Sequence, residues 1–196
     1  MTARKPRADA LRNRETVLAA ADELFARCES PRTVSMDEIA AAAGVGKGTL
    51  FRRFGDRTGL IRAVVEARTG ALRQAVEEGP EPLGPATPPR QRVPALLGAL
   101  LDFKLDNRHL SLALEEAGAG SPYQGAHYAW WHGTLRDALR RIPGVPDADF
   151  AAHALLAAVR ADFVEHLVGR EGLSPEGVRE RLAAYAARVL GAPDGG

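Results

Sequence analysis

The stretch from Thr33 to Leu60, TVSMDEIAAAAGVGKGTLFRRFGDRTGL, constrains the fold of this chain more than any other. Ser35-Met36-Asp37-Glu38 matches a capping box, in which the serine hydroxyl and the glutamate three residues on each satisfy an orphan amide at a helix start. The helix that begins at Met36 is short, because Gly44 supplies the left-handed backbone that ends a helix cheaply, and Val45 plugs the junction. A further helix, Lys47 to Phe54, follows after a tight turn. Two helices so close in sequence cross steeply with their backbones near each other. The contact then demands small residues, a glycine in the turn and an aliphatic plug on either side. Ala40, Ala43, Gly44, Val45 and Leu50 meet those demands in order, with Ile39 packing inward. Taken alone, the Ala-rich pair with its glycine fits a structural helical hairpin better than a helix-turn-helix; the adjoining residues reverse that order.

The rest of the chain also leans toward helix. Ala, Leu, Arg and Glu dominate, and the β-branched and aromatic clusters that announce strands are missing, so an all-α fold is expected. From a cap at Asp9, the residues Val17, Leu18, Ala21, Leu24, Phe25 and Cys28 recur as one apolar stripe, on a helix ending near Glu29 to Arg32. A long helix from Thr58 to Glu78 buries Leu60, Ile61, Val64, Val65, Leu72 and Val76 on one side and is long enough to bridge two domains. Gly79 to Pro94 holds six prolines and two glycines and reads as an extended linker or loop. Further helices are expected at Val93 to Asp106, Arg108 to Ala117, Pro122 to Arg141, Asp147 to Gly169 and Ser174 to Leu190, with a frayed tail from Ala192 to Gly196.

Net charge is only +1, yet residues 1–62 hold 12 Lys+Arg against 8 Asp+Glu, and the rest 14 against 17. A basic end on a slightly acidic body hints at a polyanion partner. Arg4, Lys5 and Arg7 have the composition of a flexible basic arm that reaches DNA, or equally of a solvated terminus. The single cysteine, Cys28, excludes a disulfide framework and any CxxC metal spacing. His127 and His132 lie five apart, one too many for a metal pair on a helix face, so neither metal nor cofactor is expected. No apolar run approaches the roughly 20 residues that span a bilayer, and a soluble cytoplasmic protein is expected. An enzyme is disfavoured by inventory, with no glycine-rich phosphate loop, nucleophile elbow or HExxH. An architectural DNA-binding protein needs basic surface spread more widely than this near-neutral body offers.

Gly44-Val45-Gly46-Lys47-Gly48-Thr49-Leu50-Phe51-Arg52-Arg53-Phe54, then Asp56-Arg57 and Leu60, resembles the recognition-helix signature of the tetracycline-repressor (TetR/AcrR) family, commonly G-V-S-x-G-T-L-Y-x-H-F, then S-K and L. Upstream, Leu24-Phe25 and the segment Thr33 to Ala40 fit the same family, so that the match covers about residues 14–62. The resemblance implies an N-terminal three-helix DNA-binding domain, residues 1–56, joined by a long helix to a C-terminal helical ligand-binding and dimerisation domain, residues 57–196. It implies a dimer that reads a palindromic double-stranded operator through the major groove. Lys47 and Thr49 are then candidates for base-edge contact, with Arg52 close behind and Gly48 beside them. Arg53 and Arg57 are candidate phosphate clamps. Thr33 and Ser35 aim hydroxyls and amides at a phosphate, although capping alone accounts for Ser35. Four positions depart from the family pattern. Gly46 replaces the usual capping serine or threonine, Phe51 replaces a phosphate-touching tyrosine, Arg53 replaces histidine and Arg57 replaces lysine. The arginines compensate for the missing tyrosine hydroxyl, while the Phe51 ring is left to pack against Phe54 or a sugar.

The same resemblance implies a homodimer through the last two long helices. Phe150, Leu155, Ala158, Phe163 and Leu167, then Val178, Leu182, Tyr185, Val189 and Leu190, form the candidate stripe, and intramolecular core claims part of it. Aromatics and a few polar groups between linker and interface fit the lining of a small-molecule cavity: Phe103, His109, Tyr123, His127, Trp130, Trp131 and Phe163. Each also fits plain core. An effector-released repressor is the expected function, with an activator of the same fold left open.

Overall fold

The computed structural model describes residues 5–27, 33–116, 123 and 125–191, with only the backbone for residues 5–11 and 116. Arg4, Cys28, the side chains of Lys5 and Arg7, and the tail from Ala192 lie outside the described residues. The elements in chain order are α1 (Lys5–Arg27), α2 (Met36–Ala42), α3 (Lys47–Phe54), α4 (Arg57–Glu78), α5 (Pro89–Asp106), α6 (Arg108–Glu116), α7 (Ala126–Leu139), α8 (Ala148–Ala157), α9 (Ala161–Glu165), a π-helical turn (His166–Arg170) and α10 (Pro175–Leu190). The expected all-α fold is found, with no strand among the described residues.

The chain packs as two compact units. One reaches through Thr69 and takes in α6 from His109; the other holds Gly70–Arg108 and the chain after α6. This packing division falls inside α4, a different cut from the division of labour expected between residues 56 and 57.

In the first unit α1 packs on α2 and α2 on α3. Its core is the apolar stripe read from the sequence: Val17, Ala21 and Phe25 of α1, Ile39 and Ala40 of α2, Leu50 of α3, and Leu60, Ile61, Val64 and Val65 of α4. An Arg68–Asp22 ion pair ties α4 to α1. Helix α1 already runs at Lys5, four residues before the expected cap at Asp9.

The core of the second unit is built by Val76, Leu96, Leu97, Leu100, Leu101, Leu135, Leu139, Leu155, Val159, Val178 and Leu182, from the end of α4 and from α5, α7, α8 and α10 with the joints between them. Here the structure corrects several expectations. Gly79 to Pro94 is not an extended linker throughout, because α5 starts at Pro89 and contains Pro94. Proline at the first helical position costs nothing, since the amide it lacks has no helical partner there. The preceding loop is folded down by Arg92, whose guanidinium donates to the carbonyls of Val76 at 2.8 Å and Leu83 at 2.9 Å. The helix expected from Pro122 to Arg141 is shorter, Ala126–Leu139. The helix expected from Asp147 to Gly169 breaks at Arg160, whose backbone is extended. The Asp162 carboxylate accepts from the Arg160 guanidinium at 2.7 and 3.0 Å and from the Phe163 amide at 2.8 Å, a local set of bonds that competes with the helical ladder.

Candidate nucleic-acid interface

The turn between α2 and α3 is held by backbone geometry that only a few residues adopt. Ser35 is extended and its hydroxyl accepts the Glu38 amide at 3.1 Å, while the Ser35 amide donates to Glu38 Oε2 at 2.7 Å, completing the capping box. That amide and the Ser35 hydroxyl hold the Glu38 carboxyl below its ordinary range. At the other end of α2, Gly44 is left-handed at φ 65°, its amide donates to Ala41 O at 3.1 Å and the Val45 amide to Ala40 O at 3.0 Å. This is the paired bonding of a Schellman motif, and it fixes the direction in which the chain enters α3.

Gly46 caps α3 with an extended backbone and no side chain, its carbonyl accepting from Thr49 at 2.9 Å and Leu50 at 3.2 Å. The first amides of a helix have no intrahelical partner, so a glycine cap leaves that end uncovered by any side-chain cap. Leu50 is the α3 anchor, fully buried, and Phe54 is half-buried with the Arg14 guanidinium 5.9 Å from its ring centre. Lys47, Gly48, Phe51, Arg52 and Arg53 are exposed and Thr49 half-exposed, so the predicted reading residues share the uncovered side of one short helix. Thr33 and Ser35 are exposed near the start of α2. Arg57 opens α4 half-buried, with its Nη2 atom shut off from solvent, a more enclosed position than that of Arg53.

Three participants were not read from the sequence. Asp37 of α2 binds Lys47 Nζ at 2.8 and 2.9 Å across the turn, a pair that no spacing rule reveals because the partners lie on different helices. Asp56 caps α4 by accepting the Gly59 amide at 2.8 Å, and the D-x-x-G pattern was its available signal. Gly59 itself lies so close to the end of α3 that a Cβ there would sit 2.0 Å from the Phe54 carbonyl oxygen.

The aromatic residues expected around an effector are divided between the two units. His109 is exposed on α6, in the first unit, whereas Phe103, Tyr123, His127, Trp130, Trp131 and Phe163 belong to the second. Trp130 meets Trp131 edge-to-face at 4.8 Å, donates its indole N–H to Glu77 at 2.8 Å and lies under the Arg73 guanidinium at 4.5 Å. Trp131 is 3% exposed, and its buried Nε1–H has no hydrogen-bond partner among the described residues. Burial, then the charges of Lys104 and Arg73, push His127 down to about 4, so it is neutral at physiological pH. Phe103 is half-buried, while Tyr123 and Phe163 are exposed. Of the expected dimer stripe, Leu155, Val178, Leu182 and Leu190 are buried in the core of their own chain, which leaves Phe150, Phe163 and Tyr185 exposed at 70%, 45% and 39%. Among the described residues, no helix is long and apolar enough to cross a membrane.

The comparisons with known proteins fall on the same residues. The family model for bacterial regulatory proteins of the tetR family matches residues 17–64, from the first buried valine of α1 to the middle of α4. An HTH-type transcriptional regulator from Staphylococcus aureus is 25% identical over 183 residues, covering 91% of this chain and 94% of its own. In three dimensions, a TetR-family transcriptional regulator from Rhodococcus sp. superposes with a TM-score of 0.66 at 24% identity, over 92% of this chain and 100% of its own. The TetR-like regulator LfrR from Mycobacterium smegmatis, solved in complex with proflavine, superposes with a TM-score of 0.55 at 21% identity, over 91% and 96%. With the family model lying on the residues that build the exposed face of α3, residues 17–64 match the domain of bacterial regulatory proteins of the tetR family, and the chain as a whole is similar to HTH-type transcriptional regulators.

Proposed function

We propose that this regulator is a repressor that binds a palindromic operator as a homodimer and is released by a small ligand. The observation that carries the reading is the α3 face. One buried leucine and a glycine-fixed turn hold it; in this reading Lys47, Thr49 and Arg52 contact base edges, and Arg53 and Arg57 grip phosphates. Phe51 offers a ring to a sugar, and Thr33 and Ser35 offer hydroxyls to a phosphate. Residues 1–56 read the operator and 57–196 hold effector and dimer contacts. Repression follows from occluding a promoter and needs no further protein.

The exposed Phe150, Phe163 and Tyr185 favour an apolar interface between copies through α8 to α10. LfrR with its proflavine is the precedent for a small ligand on this fold. The Trp131 N–H, without a hydrogen-bond partner among the described residues, supports an effector with a hydrogen-bond acceptor beside Trp131 and its neighbour Trp130; Phe103 and His127 are proposed to join them. Effector and operator then weaken each other's binding by the same factor. Titrating the protein against the promoter fragment upstream of its own gene tests the reading. Binding well above that to unrelated DNA is expected, with Lys47→Ala costing about 1–3 kcal/mol of discrimination at the base pair it reads. Equal affinity for both fragments, or an unaltered Lys47→Ala protein, overturns it.

A further inference from the structure

An unassigned cluster lies in the second unit, where α7 packs on α8. Asp149 and His153 stand one turn apart on α8, and His132 of α7 faces them. His132 Nε2 is 3.6 Å from Asp149 Oδ1 and His153 Nε2 is 3.9 Å from Asp149 Oδ2. One ligand atom from each of the three residues lies within 4.8 Å of the others. The two imidazoles stack at 3.9 Å between ring centres, and the Tyr128 hydroxyl shares a 2.6 Å hydrogen bond with His153 Nδ1. That bond turns the Nε2 atom of His153 to the cluster.

We propose that His132, Asp149 and His153 bind a divalent transition metal of the zinc class, with Tyr128 as the positioning residue. Two imidazole nitrogens and one carboxylate oxygen suit zinc, nickel, copper or cobalt, whereas magnesium and calcium take oxygen donors. Bonds of about 2.0–2.2 Å draw the three groups together by roughly an ångström, a side-chain adjustment between helices already packed. His132 gives up the 3.2 Å contact between its Nε2 and the Asp149 carbonyl oxygen. Its side chain is 13% exposed, against 57% for Asp149 and 43% for His153, so the site is closed on the α7 side and open on the other. A fourth position is thereby left to water or an exogenous ligand. Tyr128 plays the part of the outer hydrogen-bond partner that orients a ligating imidazole. The signal in the sequence is Asp149-x-x-x-His153, one helical turn apart. A metal here staples α7 to α8.

The test uses the full chain, free of any affinity tag and stripped of metal. It is titrated with Zn²⁺ against a chromophoric chelator and with Co²⁺ followed by visible absorption. One equivalent of zinc per chain is expected to leave the chelator, and cobalt gives the intense bands of a low-coordinate site. His132→Asn and His153→Gln weaken zinc binding by roughly tenfold or more and Tyr128→Phe by about tenfold, while His166→Gln, remote from the cluster in sequence, leaves it unchanged. Zinc raises the thermal midpoint of the wild type and not that of His153→Gln. A wild-type chain that takes no zinc from the chelator overturns the proposal, and so does an equivalent retained by the folded His132→Asn/His153→Gln protein. Because wild-type uptake is read first, a variant that fails to fold leaves the decision intact.

Discussion

Two residues carry sharp consequences, one through space and one through charge. A methyl group at Gly59 meets the Phe54 carbonyl oxygen at 2.0 Å, so α3 and the start of α4 must separate to admit it. Gly59→Ala is expected to lower stability by about 1–3 kcal/mol in a urea melt, as overpacking does, and to weaken operator binding because the far end of the reading helix moves. His127 acts through protons. Unfolded, it takes up a proton as pH falls through about 6.5; folded, it does so only near 4, since burial and then Lys104 and Arg73 oppose the charge. Between those values the unfolded chain holds more protons, so His127 lowers stability progressively as pH falls through this window and has no such effect above it. In urea melts from pH 6.5 down to 4, His127→Gln is expected to lose less stability than the wild type, with the two curves parallel above the window.

At the scale of elements, local interactions were legible and distant ones were not. The bounds of α2 and α3 follow from the sequence because the capping serine, its glutamate and the turn glycine act within a few residues of themselves. The start of α5 was hidden because proline reads as a breaker, whereas at the first helical position, where Pro89 stands, it is tolerated. The break at Arg160 was hidden because neither glycine nor proline marks it, and an arginine two residues before an aspartate is seldom a stop. The stripe on α8 and α10 has the same period whether it faces its own core or a second copy, so Leu155 and Val178 could not be told from Phe150 and Tyr185. The Lys47–Asp37 pair and the His132–Asp149–His153 cluster join different helices, which periodicity along one helix does not reach. Arg92 gives this scale its own prediction. Its two carbonyl partners hold the 79–88 loop against the end of α4, and Arg92→Met leaves both without a donor. A loss of about 1–3 kcal/mol is expected, with faster amide exchange in that loop than elsewhere in the second unit.

For the molecule as a whole, the net positive charge falls at one end, 12 Lys+Arg against 8 Asp+Glu in residues 1–62, and the proposed affinity for DNA draws on it. In the proposed homodimer, a phosphate contact made by each of the two copies contributes about 1.8 to the slope of log affinity against log salt. Arg53→Gln is therefore expected to flatten that slope by nearly two while leaving the preference among operator sequences unaltered, measured by titration at several salt concentrations. A changed preference assigns Arg53 to a base edge instead.

The carboxylate of Asp37 that holds Lys47 makes the free protein its own first ligand. If Lys47 reads the operator as proposed, the DNA must displace it. A bare phosphate exchanges one anion for another and leaves Asp37 stranded beside a polyanion, so random sequence gains little from the swap. A guanine edge offers acceptors without adding charge, and it clears that threshold more easily. On the proposed reading of Lys47, the acidic residue beside it sharpens the choice of sequence by making indiscriminate contact unrewarding.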